Sequence, residues 1–112
     1  MSAVSEILEK YVAGLNSHDP DAIAELYADE CDFVDGGARP QGFPDTVASG
    51  KEGVRETFKN VFSLYDVKAE IVNMYPNSMQ YDVHLAGFDI PCIGAATLDE
   101  NGLIKEYIVR PR

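Results

Sequence analysis

One side chain in this sequence has the type and setting for proton chemistry: the carboxylate of Asp35. In Cys31-Asp32-Phe33-Val34-Asp35, alternate residues of an extended strand share a face, so Asp35 points wherever Cys31 and Phe33 point. If Phe33 faces a core, Asp35 faces it too. Burial disfavours the charged form of a carboxyl group, raises its pKa and makes an ordinary aspartate a proton acceptor usable near neutral pH. A second reading stays open: Asp35-Gly36-Gly37 is good turn sequence, in which the carboxylate accepts a backbone N–H two residues on. Tyr11 lies on the apolar stripe of a predicted helix. On position alone it reads as a core aromatic whose hydroxyl finds a backbone partner.

The remaining reactive residues form no site by spacing. His84 alternates with Asp82 and Gln80, an outer-face pattern, and His18 sits in a break between helices. Two separated histidines and scattered acids do not make a zinc ligand set, so no metal is expected. Cys31 and Cys92 are too far apart for a metal-site spacing and are expected to be buried free thiols. Asp89 has the opposite parity to Cys92 and Gly94, and Arg110 and Arg112 belong to a C-terminal tail where solvated charge is the ordinary state.

The elements that position these residues follow from hydrophobic periodicity. Val4, Ile7, Leu8, Tyr11, Val12 and Leu15 form one stripe of a first helix. Asp19 and Pro20 start a short second helix with Ile23, Leu26 and Tyr27 on its apolar side, ending near Asp29. Positions 36 to 50 hold four Gly and two Pro and read as a loop that either borders a site or is a plain surface excursion. Ser49 is placed to cap a third helix with Val54, Phe58, Val61 and Phe62 inward. Strands then follow at 67–71, 79–85, 88–98 and 103–109, with turns at Pro76-Asn77-Ser78, Ala86-Gly87 and Asn101-Gly102, and Pro91 marks an edge or bulge. Helices followed by strands predict an α+β fold, with a curved sheet against the first helix.

The 112 residues fit one domain, 1–112, with a single core. Nineteen acidic against nine basic residues give a net charge of −10, and no basic stripe is present to neutralise phosphates, so nucleic acid is not an expected partner. The apolar runs are short and the N-terminus lacks a basic-then-apolar segment, so neither a membrane span nor a signal peptide is expected, and a cytoplasmic setting is the expectation.

Tyr11-Val12-Ala13-Gly14-Leu15-Asn16, followed by Asp19, Asp21, Ile23, Leu26, Ala28-Asp29-Glu30 and Val34-Asp35, resembles the opening of the ketosteroid isomerases. These belong to the nuclear-transport-factor-2-like (NTF2-like, SnoaL-like) superfamily. The resemblance is close over the first third of the chain, and the Gly53-Val54-Arg55-Glu56 helix start and long terminal strands fit it in outline. It implies a cone-shaped α+β fold, a curved mixed sheet and three helices around an apolar pocket, commonly as a homodimer without cofactor. It also implies a steroid Δ-isomerase-like reaction on an apolar, steroid-like ketone. The general base falls on Asp35 and the oxyanion-binding tyrosine on Tyr11, with 24 residues separating them as in the family. Asp35 would carry the proton from the α-carbon along the conjugated system while Tyr11 stabilises the dienolate.

Two departures stand out. The family's second oxyanion donor, an aspartic acid, aligns with Gly94, and its supporting tyrosine on the third helix aligns with Phe58. Tyr107 and Cys92 are candidate substitutes, with packing as the competing role for both. The expected pocket lining is Phe33, Phe58, Phe62, Val83, Cys92, Gly94 and Tyr107. Superfamily members also include binding modules, lyases, cyclases and hydrolases, so a non-catalytic ligand-binding module and a related enzyme on another apolar substrate are the alternatives.

Overall fold

The structure, a computed structural model, describes residues 2–112. Helix α1 (Ala3–Ser17) buries Leu8, Tyr11, Val12 and Leu15, the stripe its sequence period predicts. Ser2 caps it by accepting from the Ser5 N–H, and His18 closes it in a left-handed conformation (φ 53°). Helix α2 (Pro20–Ala24) is capped by Asp19 and packs closely on α1: a Cβ at Gly14 would lie 2.6 Å from Ile23 Cγ1. Helix α2 stops at Ala24, five residues before the predicted end near Asp29. Tyr27 instead begins strand β1 (Tyr27–Asp35), where it pairs in parallel with Ile104, and the Ile104 N–H donates to the Leu26 carbonyl at 2.8 Å. Tertiary pairing overrides the helical period there.

The 36–50 segment holds a 3₁₀ turn (Arg39–Gln41) and strand β2 (Thr46–Ser49), which lies antiparallel on β1 and was not legible as a strand. Helix α3 (Gly50–Leu64) follows, with Val54 and Phe58 fully inward and Val61 and Phe62 half-buried. Strands β3 (Lys68–Met74), β4 (Ser78–Leu85), β5 (Phe88–Leu98) and β6 (Ile104–Pro111) complete an open six-stranded sheet of order β2-β1-β6-β5-β4-β3. Among the described residues only the β1–β6 pair is parallel. Together with three helices, this mixed sheet forms the cone-shaped α+β architecture that the sequence predicts.

Strand β5 lies inside the sheet and has no bulge at Pro91, which sits on a stretch that β6 does not reach and is therefore a local edge. Pairing to β6 begins only at Cys92↔Pro111, and the Pro91 carbonyl accepts the Arg112 N–H at 3.0 Å. The N–H that proline lacks would point the same way, past the end of β6, so no ladder bond is lost. Asn16 ties α1 to edge strand β3, donating from Nδ2 to the Ala69 carbonyl (2.9 Å) and accepting from the Ala69 N–H (2.7 Å). Among the described residues no helix is long and apolar enough to cross a membrane.

Candidate active site

Strand β1 delivers Asp35 to the site. Phe33, two residues earlier on the same face, is 1% exposed, and Asp35 ends the strand half-buried between Thr46 of β2 and Val109 of β6. Both sequence readings hold together: the side chain faces inward, and its Oδ1 accepts the Gly37 N–H at 2.9 Å. Burial pushes the Asp35 pKa up and nearby Asp45 adds to the rise, while the Gly37 hydrogen bond opposes it. Asp45 is gripped by Arg39 through two bonds of 2.7 and 2.6 Å, which fastens the loop after Asp35. A Cβ at Gly37 would lie 2.6 Å from Cys92 Sγ and 3.2 Å from Asp35 Oδ1, so the glycine lets the thiol and the carboxylate approach. Burial, then the Asp35 charge, pushes the Cys92 pKa up to about 12, which leaves a neutral thiol.

Tyr11 lies in a nest of rings. It is 2% exposed, 4.8 Å from the Tyr107 ring centroid and edge-on to Phe58 at 6.0 Å. Burial raises its pKa well above the ordinary phenol value, helped by Tyr107, Tyr27 and Asp35, so it is a neutral donor at physiological pH. Phe58 carries no hydroxyl to support it. Nearby Tyr27, edge-on to Phe33, has a fully buried hydroxyl without a hydrogen-bond partner among the described residues.

Asp35 and Tyr11 line one cavity of about 470 Å³, large enough for a drug-sized apolar ligand. Phe33, Phe58 and Val83 line it as the sequence suggests. Phe62, Cys92, Gly94 and Tyr107 do not. Phe62, half-buried against the core, stacks on His18 at 5.2 Å, while Cys92 and Tyr107 are packed behind the wall. The 36–50 segment borders the cavity through Ala38, Phe43, Pro44 and Thr46, and Leu64, 63% exposed, marks its mouth at the end of α3. Sequence reasoning missed Tyr81 and Tyr65 as lining residues. Tyr81 shares the parity of Val83, which was the available signal; Tyr65 follows the helix and had none.

His84 faces outward, its Nδ1 2.6 Å from Asp89 and its Nε2 3.7 Å from Glu70. His18 Nε2 donates to the Val67 carbonyl at 2.8 Å. Among the described residues no group of three or more His, Cys, Asp or Glu side chains is placed to hold a metal.

An open mixed sheet wrapped on a long helix, with a carboxylate and a phenol on an apolar cavity, defines a class of small α+β pocket proteins. The chain belongs to the SnoaL-like domain family, whose match runs over residues 8–107. Its fold is similar to that of a solved Mycobacterium tuberculosis protein (TM-score 0.77, 16% identity, 96% of this chain and 93% of that one covered). It is also similar to a hypothetical protein with a ketosteroid isomerase-like fold from Catenulispora acidiphila, solved in complex with trimethylamine (TM-score 0.76, 17% identity, 93% and 83% covered). A SnoaL-like protein of unknown function from Burkholderia thailandensis gives a TM-score of 0.75 at 17% identity, with 98% and 94% covered. At these identities the likeness is one of fold. No match was found among curated proteins.

Proposed function

We propose that the protein is a cofactor-free, ketosteroid isomerase-like enzyme. It shifts a β,γ double bond of an apolar ketone into conjugation by intramolecular proton transfer. The observation that carries this reading is a half-buried carboxylate of raised pKa sharing an apolar cavity with a buried, neutral phenol. Asp35 takes the α-proton and returns it at the γ-carbon; Tyr11 donates to the ketone oxygen as negative charge develops there. Phe33, Phe58 and Val83 hold the hydrocarbon frame and keep water from the dienolate. A related lyase, cyclase or hydrolase would use the same carboxylate on another apolar substrate.

The test is conversion of a β,γ-unsaturated 3-ketosteroid to its conjugated isomer, followed by ultraviolet absorbance. Turnover should collapse in Asp35→Asn and fall less in Tyr11→Phe, and absence of turnover in the folded parent refutes the reading. A second reading, a non-catalytic binding module, is favoured by one feature: a single carboxylate faced by the rings of Tyr11, Phe33, Phe58, Tyr65 and Tyr81 also suits a small ammonium ligand, the kind of molecule found with the Catenulispora protein. Calorimetric titration with trimethylammonium, lost in Asp35→Asn, would support it. The proposal extends to a cytoplasmic homodimer formed through the outer sheet face. There Val47, Val34, Ile108 and Ala95 stand in register across four strands, and sedimentation would report the assembly.

A further inference from the structure

The position where the family has its second acid is filled by something else. A Cβ built on Gly94 would overlap the Tyr107 hydroxyl oxygen and lie 2.8 Å from its Cζ and 3.1 Å from its Cε1. Tyr107 pairs with Ala96 on β5, so its ring leans diagonally along the sheet over Gly94. The glycine is therefore the space that Tyr107 needs, and no carboxylate fits there while Tyr107 stays.

Tyr107 is fully buried and its hydroxyl donates to the Tyr81 hydroxyl at 3.1 Å. A phenol has one proton to give. With Tyr107 as donor, its proton is satisfied inside the sealed core; in the reverse sense it would be buried without an acceptor, which is costly. Tyr81 then accepts from Tyr107 and keeps its own proton. Among the described residues no protein group takes that proton, and Tyr81 lines the same cavity as Asp35 and Tyr11. Accepting a hydrogen bond also polarises the Tyr81 hydroxyl and makes it a better donor.

We propose that Tyr81 is the second oxyanion donor of the site, with Tyr107, seated over Gly94, as its positioning residue. The proposal rests on the enolising site described above and replaces that site's missing acid with a relay running from Tyr107 through Tyr81 to the ligand oxygen. Two neutral phenols stabilise an enolate less than a phenol and a carboxylic acid, so the substrate class is an apolar ketone whose α-proton is already acidified by conjugation.

The test uses 4-nitrophenol, whose phenolate absorbs at longer wavelength than the neutral form, with nitrobenzene as an uncharged probe of similar shape. Binding is measured in the Asp35→Asn background, where the carboxamide stands in for the protonated aspartate. Adding Tyr81→Phe should weaken phenolate binding roughly ten- to a hundredfold and leave nitrobenzene binding within twofold. Tyr107→Phe should weaken phenolate binding less, and the pair of changes should cost no more than Tyr81→Phe alone, because Tyr107 acts only through Tyr81. Phenolate binding that survives Tyr81→Phe but falls with Tyr11→Phe overturns the role of Tyr81 and leaves the proposed enzyme standing. Equal loss of nitrobenzene and phenolate in Tyr81→Phe makes Tyr81 a packing residue and also overturns it. No phenolate binding in any background overturns the relay and the oxyanion site together.

Discussion

Replacing Gly94 by alanine tests whether Tyr107 truly occupies the space above it. The backbone at Gly94 is ordinary β-strand without a positive φ, so the substitution itself favours folding by about 0.5–1 kcal/mol through lost unfolded-state freedom. Against that stands the new methyl, which overlaps the Tyr107 hydroxyl and lies within 2.8 Å of Cζ. The ring must move, and it is walled in by Tyr11 at 4.8 Å and Phe33 at 6.1 Å. Overpacking of this kind costs about 1–3 kcal/mol, and loss of the Tyr107–Tyr81 hydrogen bond about 1 kcal/mol more. The net expectation is a destabilisation of about 2 kcal/mol, or roughly 8 °C in Tm for a domain of this size. Urea and thermal unfolding of the parent, Gly94→Ala, Tyr107→Val and the double variant form a thermodynamic cycle. In the Tyr107→Val background, Gly94→Ala should become neutral or stabilising, giving a favourable coupling of about 2 kcal/mol. If Gly94→Ala alone is as stable as the parent within about 0.5 kcal/mol, the account of Gly94 as room for Tyr107 is wrong.

Asp35→Asn should stabilise the protein at neutral pH. Burial raises the folded-state pKa of Asp35 above its unfolded value near ~4, so ionising it opposes folding; that penalty is absent below the unfolded pKa and is complete once pH has risen through the folded one. Unfolding free energies of the two proteins should therefore converge on acidification, and a difference that does not change with pH would sink the assignment. Asn16→Ala should cost about 2 kcal/mol in urea unfolding, because both polar groups of Ala69 lose their partner on an edge strand. Asn16→Asp should be at least as harmful, since an acceptor then faces the Ala69 carbonyl, and unaltered amide exchange at Ala69 in either variant would contradict the clamp.

The neutral state of the buried phenols has a chemical consequence. Tyr81 and Tyr107 both have pKa values pushed well above the phenol range, chiefly by burial. Among the described residues Asp35 is the only carboxyl group lining the cavity, so the pH dependence of proton chemistry there tracks its ionisation. Activity requiring the Asp35 carboxylate should rise as pH passes its folded pKa.

Residue order alone encodes short-range geometry. Period-3.6 spacing put Tyr11 on the buried stripe of α1, and strand parity put Asp35 on the face of Phe33, because both depend only on backbone geometry over a few residues. The Ala86-Gly87 hairpin was legible for the same reason: its two positive φ angles, 52° and 80°, make the tight turn between β4 and β5. Tertiary structure decided what depends on distant partners. Thr46–Ser49 is too short to show a period and is a strand only because β1 offers it an edge, while Tyr27 left its predicted helix because Ile104 offered it a parallel pairing. The orientation of Phe62 toward His18 rather than the cavity, and the filling of Gly94's space by Tyr107 from the neighbouring strand, follow from which elements meet. Such meetings are set by closure of the whole chain, which no local pattern encodes.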